Sequence, residues 1–254
     1  MPNTRGQLLT LPNVLTLSRI AALPFFVVAF LDGSALACLF AYWILGWSEV
    51  TDILDGFVAR KNATTSKLGA LLDPYADCVS RFCIFLTFYA VGMAELWMIF
   101  VFFFRDITVA YMRSAAAADG IVMAARRSGK IKAMVQATAS ACGVVAALVA
   151  TQADFRASST LGYWALGVGM VAMAVPLACV PLLGLTGAVR WVIVLMAPVA
   201  ALPVFLLPTY VALPAAGLRT ATDVLLTVAA VYTLYSLFDY GRAFLRGYRL
   251  RHAA

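Results

Sequence analysis

Four aspartates, Asp52, Asp55, Asp73 and Asp77, crowd the stretch TDILDGFVARKNATTSKLGALLDPYAD (residues 51–77) of a chain that is otherwise 63% hydrophobic and only 12% charged. On a helix, Asp52, Asp55, Gly56 and Ala59 fall at i, i+3, i+4 and i+7 and share one face, while Gly69, Asp73 and Asp77 at i, i+4 and i+8 share another. Two helix ends can thus aim four carboxylates at one spot. An ionised aspartate costs about 2.5–3.5 kcal/mol at the centre of a membrane helix, and clustered anions repel one another besides. The nearby cations, Arg60 and Arg81, leave about two charges uncompensated.

Divalent cations fit that deficit. The donors are all oxygens, and the sole histidine, His252, stands at the far tail, so Mg²⁺ or Mn²⁺ is favoured over Zn²⁺. Two such ions about 3.5–4 Å apart would clamp a phosphoryl group during a displacement. Gly56, Ala59 and Gly69 keep the carboxylate faces bare of bulk, which lets a ligand's phosphates approach the backbone. Small residues also serve helix packing in membranes; beside four aspartates, the ligand reading is favoured.

The elements that position these acids are membrane helices. Apolar runs near residues 14–31, 34–51, 82–104, 106–124, 133–152, 160–183, 188–208 and 222–240 each approach the roughly 20 residues that cross a bilayer. The expected architecture is an all-α polytopic bundle of about eight spans, forming one membrane domain over residues 1–254. The first run is too long for a signal-peptide core and has no small-residue cleavage site after it, so it reads as a true span. The five cysteines lie in apolar runs without CxxC spacing and read as small buried hydrophobes.

Basic residues set the expected orientation. With the N-terminus inside, Arg5, Arg19, Arg60, Lys61, Lys67, Arg113, Arg126, Arg127, Lys130, Lys132, Arg190, Arg242, Arg246, Arg249 and Arg251 collect on the cytoplasmic side, and only Arg156 and Arg219 fall outside. Both termini and the aspartate segment are then cytoplasmic. The net charge of +7 reads as positive-inside bias and contact with anionic headgroups, with no nucleic-acid partner.

The pattern Asp52-x-x-Asp55-Gly56-x-x-Ala59-Arg60, eight residues, Gly69-x-x-x-Asp73-x-x-x-Asp77 resembles the signature of the CDP-alcohol phosphatidyltransferases at every fixed position. The resemblance implies an integral membrane enzyme, a homodimer, that moves a phosphatidyl group from CDP-diacylglycerol to a polar alcohol and releases CMP at a site facing the cytoplasm of a bacterial inner membrane. Carried over by residue, it makes Asp52, Asp55, Asp73 and Asp77 metal ligands for two Mg²⁺ or Mn²⁺ ions, with Asp77 also the base, and lines the CDP pocket with Gly56, Ala59, Arg60 and Gly69.

The stretches 11–20, 104–136 and 225–240 are similar to those family members whose acceptor is glycerol 3-phosphate. The matching basic residues are Arg105, Arg113, Lys130 and Lys132, and a phosphorylated acceptor needs charge-assisted partners of that kind. Lys130 and Lys132 are equally expected as positive-inside residues, whereas Arg105, between apolar runs, is hard to explain as an anchor and has Asp106 beside it. Arg19, two turns into the first span, is a further candidate, and Glu49 is a carboxylate with no assigned place. Those relatives commonly carry a lysine after the last aspartate; this chain has Cys78 there and Arg81 one turn on.

The expected division is a six-span family core at 11–152 and 220–247, bearing the signature at 52–77, with a proline-rich transmembrane hairpin inserted at 158–210. Two other readings compete: the same reaction with inositol phosphate, serine or another alcohol, and a cation transporter or channel. A transporter predicts acids spread along several helices or an inverted repeat of the motif, whereas these acids lie on two adjacent segments.

Overall fold

A computed structural model describes residues 11–61, 69–120, 126–182, 201–209 and 214–252, with 123, 194 and 197. Along 52–61 and at 69–71 and 73, among other helical positions, the description covers the backbone alone. The described residues are helical with no strand. The helices are α1 (Leu11–Asp32), α2 (Ala35–Lys61), α3 (Gly69–Ala90), α4 (Leu96–Ala118), α5 (Arg127–Ala150), α6 (Gln152–Ala157), α7 (Ser159–Leu182) and α8 (Ala215–His252).

Three of them are long and apolar enough to cross a membrane among the described residues: Asn13–Asp32, Arg127–Ala150 and Ala215–Arg249. Their surfaces carry large exposed apolar side chains such as Phe25, Val28, Val231 and Phe238. Faces like these remain stable only against lipid or another apolar surface.

The third and fourth helices break at a different place from the expected one. The apolar runs 82–104 and 106–124 suggested an interruption at Arg105, yet α4 runs unbroken through it. Arginine is a good helix former and adds no reason to stop. The stop falls at 91–95, where Gly92 takes φ +68, Met93 N–H donates to Phe88 O at 2.7 Å and Gly92 N–H to Tyr89 O at 3.0 Å. Glycine occupies that left-handed conformation without a Cβ penalty, which is how many helices end. Gly33, at φ +69, turns the chain from α1 into α2 in the same way.

The chain divides into two compact units, one of residues 1–80 and 144–218, the other of 81–143 and 219–254. In the first, α1 packs along α2, and α7 lies against α2 and α6. The segment 201–209 returns along this unit: Arg156 Nε donates to Thr209 O at 2.7 Å, and Gly169 and Gly162 face Phe205 and Pro208.

In the second unit, aromatic rings join α3 to α4 through Phe82–Phe103 and Phe85–Phe102. Gly143 lets α5 close on them, since a Cβ there would stand 2.5 Å from Phe88 Cε2. Arg219 Nη2, near the start of α8, donates to Gly92 O in the α3–α4 turn at 3.1 Å. The last turns of α8 carry Arg242, Arg246 and Arg249, all exposed.

Candidate functional site

The signature aspartates stand on two helices. Asp52 and Asp55 lie in the last turns of α2, and Asp73 and Asp77 in the first turns of α3, so the helical spacing on which their shared faces depend is present in the backbone. The side chains of Asp52, Asp55, Gly56, Ala59, Arg60, Gly69 and Asp73 lie outside the described residues. Among the described residues no group of three or more His, Cys, Asp or Glu gathers; of the four signature acids only Asp77 belongs to that set.

Asp77 has a partner that the spacing alone did not reveal. Arg19 Nη1, on α1, donates to Asp77 Oδ1 at 3.0 Å. The Arg19 side chain is 3% exposed and that of Asp77 37%, so the guanidinium reaches the carboxylate from the protein side and leaves it partly open to solvent. Arg19 belongs to a polar stripe on α1, Asn13, Thr16 and Arg19, all buried. Spaced at i, i+3 and i+6, these residues face one way on a helix that otherwise shows apolar side chains. The oxygen-only donor set on two helix ends, with Asp77 partly open, fits a hard divalent cation.

The basic residues expected to hold an acceptor phosphate separate into two kinds. Arg105, Arg113 and Lys132 join one polar network in the second unit, whereas the Lys130 side chain is exposed and takes no part in it. Residues two apart on a helix point about 200° away from each other, so Lys130 and Lys132 cannot serve the same face. Lys132 is 2% exposed and its Nζ donates to both oxygens of Asp106 at 2.8 Å. Arg105 Nη1 donates to Asp106 Oδ1 at 2.8 Å, and its Nη2 to Ser236 Oγ at 2.8 Å. The pairing of Arg105 with Asp106 expected from sequence is therefore present.

The rest of the network comes from α8. Tyr240, 1% exposed, has Arg105 and Arg113 over its ring, their Cζ atoms 5.1 and 5.3 Å from the centroid. Its hydroxyl accepts from Arg113 Nη2 at 2.9 Å and from the backbone N–H of Arg126 at 3.1 Å. Its neighbour Asp239 accepts from Arg126 Nε and Nη2 at 2.6 and 2.7 Å and from Ser128 Oγ at 2.6 Å. That hydrogen-bonded fork, foremost, raises the Arg126 guanidinium above its ordinary pKa.

Sequence reasoning missed Tyr240, Asp239 and Ser128 as members of this site. A signal was present: Asp239 is an aspartate at the end of the apolar run 222–240, and an acid placed there calls for a cation.

Comparison with known proteins decides the class. The sequence profile of the CDP-alcohol phosphatidyltransferases matches residues 9–178, a range that contains all four aspartates, Arg105, Arg113 and Lys132. The chain belongs to the CDP-alcohol phosphatidyltransferase family. With its apolar helices, membership makes it an integral membrane protein, and divalent-metal dependence is general in the family. The match ends before α8, so Asp239 and Tyr240 lie beyond it, and it runs into the segment set apart above as an insertion.

Among the relatives, the chloroplastic/mitochondrial CDP-diacylglycerol–glycerol-3-phosphate 3-phosphatidyltransferase 1 of Arabidopsis thaliana is 36% identical over 186 residues, 65% of this chain and 63% of that protein. The enzyme of the same name from Bacillus subtilis is 31% identical over 138 residues, 50% of this chain and 72% of its own. A Mycobacterium bovis protein provisionally named a cardiolipin synthase is 36% identical over 107 residues, 42% of this chain and 50% of its own. The chain thus spans under two thirds of the Arabidopsis protein's length and half of the mycobacterial one's.

Proposed function

We propose that this protein transfers a phosphatidyl group from CDP-diacylglycerol to a hydroxyl of glycerol 3-phosphate and releases CMP. The observation that carries the acceptor is the charge balance of the α4–α5–α8 network. Arg105, Arg113 and Lys132 bring three positive charges, and Asp106 returns one, while Arg126 and Asp239 neutralise each other. Arg105 and Lys132 are buried and Arg113 is exposed, so the excess of two positive charges has an open side, which suits a phosphate dianion better than a neutral alcohol. The names of the Arabidopsis and Bacillus relatives support the same acceptor.

In this reading Asp52, Asp55, Asp73 and Asp77 hold the cations on which the CDP diphosphate rests, and Gly56, Ala59, Arg60 and Gly69 line the nucleotide pocket. The bound ions, Mg²⁺ or Mn²⁺ and two in number, would draw charge off the diphosphate and make CMP a good leaving group. Asp77 accepts the proton of the attacking hydroxyl, whose oxygen bonds to the phosphatidyl phosphorus as the bond to the CMP oxygen breaks. Arg19 keeps the Asp77 carboxylate turned to that task. About eight spans, cytoplasmic termini, a cytoplasm-facing site in a bacterial inner membrane and a homodimer complete the reading, supported by the charge asymmetry of the sequence and by the family likeness.

The test is CMP release and lipid product from purified protein given CDP-diacylglycerol, Mg²⁺ or Mn²⁺, and glycerol 3-phosphate, inositol phosphate, serine or phosphatidylglycerol in turn. Glycerol 3-phosphate should be preferred. Arg105→Ala and Arg113→Ala should each raise its KM about ten- to a hundredfold, the worth of a charge-assisted contact, with the donor KM little changed. Preference for an unphosphorylated alcohol with both arginines dispensable would overturn the acceptor assignment.

A further inference from the structure

Two guanidiniums that converge on one phosphate repel each other until it arrives, and something must hold them together in its absence. Arg105 and Arg113 lie eight residues apart on α4, about 12 Å along the axis, and they meet at a single side chain from another helix. That side chain is Tyr240. Its ring offers a negative π face to both cations, and its hydroxyl fixes Arg113 Nη2 from one side and the backbone leading into α5 from the other. Thr233, Ser236 and Tyr240, at i, i+3 and i+7 of α8, are all buried. Arg105 is therefore held along the same face of α8 by Ser236 and by the Tyr240 ring.

Gly129 makes room for this arrangement. A Cβ at that position would stand 2.8 Å from Tyr240 Oη, 3.3 Å from Tyr240 Cε2 and 3.5 Å from Arg105 Nη2. The hydroxyl therefore stands closer to that position than a Cβ at 129 would tolerate without a shift. The ring is rigid and held by two hydrogen bonds and two cations, so it has little freedom to yield.

We propose that Tyr240, seated against Gly129, is a positioning residue that presents Arg105 and Arg113 together to the phosphate of the acceptor. The proposal rests on the phosphorylated-acceptor reading above and extends it to residues beyond the family match. Tyr240 does its work through the arginines, so its loss should weaken phosphate binding and spare the chemistry at the aspartates.

Two variants of the full-length protein in detergent or lipid vesicles test this. Tyr240→Phe keeps the ring and removes the hydroxyl; Gly129→Ala keeps Tyr240 and displaces it. Each should raise the KM for glycerol 3-phosphate about tenfold, leave the KM for CDP-diacylglycerol unchanged and hold kcat within about twofold. Inorganic phosphate, used as a competing probe, should inhibit CMP release about tenfold less well in both variants than in the parent. An unchanged acceptor KM and phosphate inhibition constant in both would overturn the proposal. So would an equal rise in donor and acceptor KM, which marks general disturbance of the fold. Should the parent protein favour another alcohol, the function reading fails by itself, and the phosphate inhibition constants, measured with that alcohol, still decide whether Tyr240 organises the arginines.

Discussion

Arg19 and Asp77 meet at 3.0 Å although 58 residues separate them. The contact ties the first helix among the described residues to the last aspartate of the signature. Its asymmetry is informative: a nearly buried guanidinium supports a carboxylate that remains more than a third exposed. A carboxylate held from behind keeps its orientation while it faces its substrate.

Arg19 should therefore matter for turnover. Arg19→Lys keeps the charge and loses the planar geometry, and removal of one charge-assisted hydrogen bond is worth about 1.5–3 kcal/mol. We expect kcat to fall roughly ten- to a hundredfold with little change in either KM. Parental kcat in Arg19→Lys, measured by steady-state CMP release, would show that the contact serves stability alone.

Chelation should silence the protein. Four carboxylates cannot hold a diphosphate without cations between the two sets of negative charge. EDTA should abolish CMP release, and Mn²⁺ or Mg²⁺ should restore it; full activity in chelator would refute the role given to the aspartates.

The aspartates should divide by function. Asp77→Asn is expected to cut turnover while CDP-diacylglycerol still binds, and Asp52→Asn or Asp73→Asn to lose metal and donor together. A base acts in the transition state, whereas a ligand also acts in the ground state. Direct binding of the donor to the three variants makes the distinction, and equal loss in all of them would move Asp77 wholly into the ligand set.

Asp106 is the anion that two buried cations, Arg105 and Lys132, share. Asp106→Asn leaves Lys132 and Arg105 without their anion at 2% and 10% side-chain exposure, a change that costs about 3–5 kcal/mol where a buried pair is broken. Thermal inactivation in detergent should shift down accordingly. The double variant Asp106→Leu, Lys132→Met should recover part of that loss, because it removes the buried ammonium and leaves Arg105 as the one member of the trio without its anion; no recovery would mean that the Asp106–Lys132 pair does more than cancel charge.

Much of this molecule was legible in the sequence because its signals are local. The i, i+3 and i, i+4 spacing of the aspartates on helices, the apolar runs, and the adjacency of Arg105 and Asp106 all depend on near neighbours in the chain. The break between α3 and α4 was misplaced because a charge was allowed to outweigh a glycine: Arg105 interrupts hydropathy without interrupting a helix, and Gly92 does the reverse. Tyr240 and Asp239 escaped because their partners lie 111 to 135 residues upstream, and no periodicity reports a contact of that range. Lys130 and Lys132 look equivalent in the sequence, yet about half a turn of helix sends them to opposite surroundings.

The length of α8 has a consequence for where the reaction takes place. Its 38 residues rise about 57 Å against roughly 30 Å of hydrocarbon. The four arginines of its final turns, Arg242, Arg246, Arg249 and Arg251, resist entry into lipid by about 2.5–3.5 kcal/mol each. They resist being drawn into lipid and so act as a float for the helix end, and Tyr240 stands two residues before the first of them. On the proposed function, an acceptor dissolved in water and a donor dissolved in lipid would meet at that boundary, the level at which these arginines would moor the network.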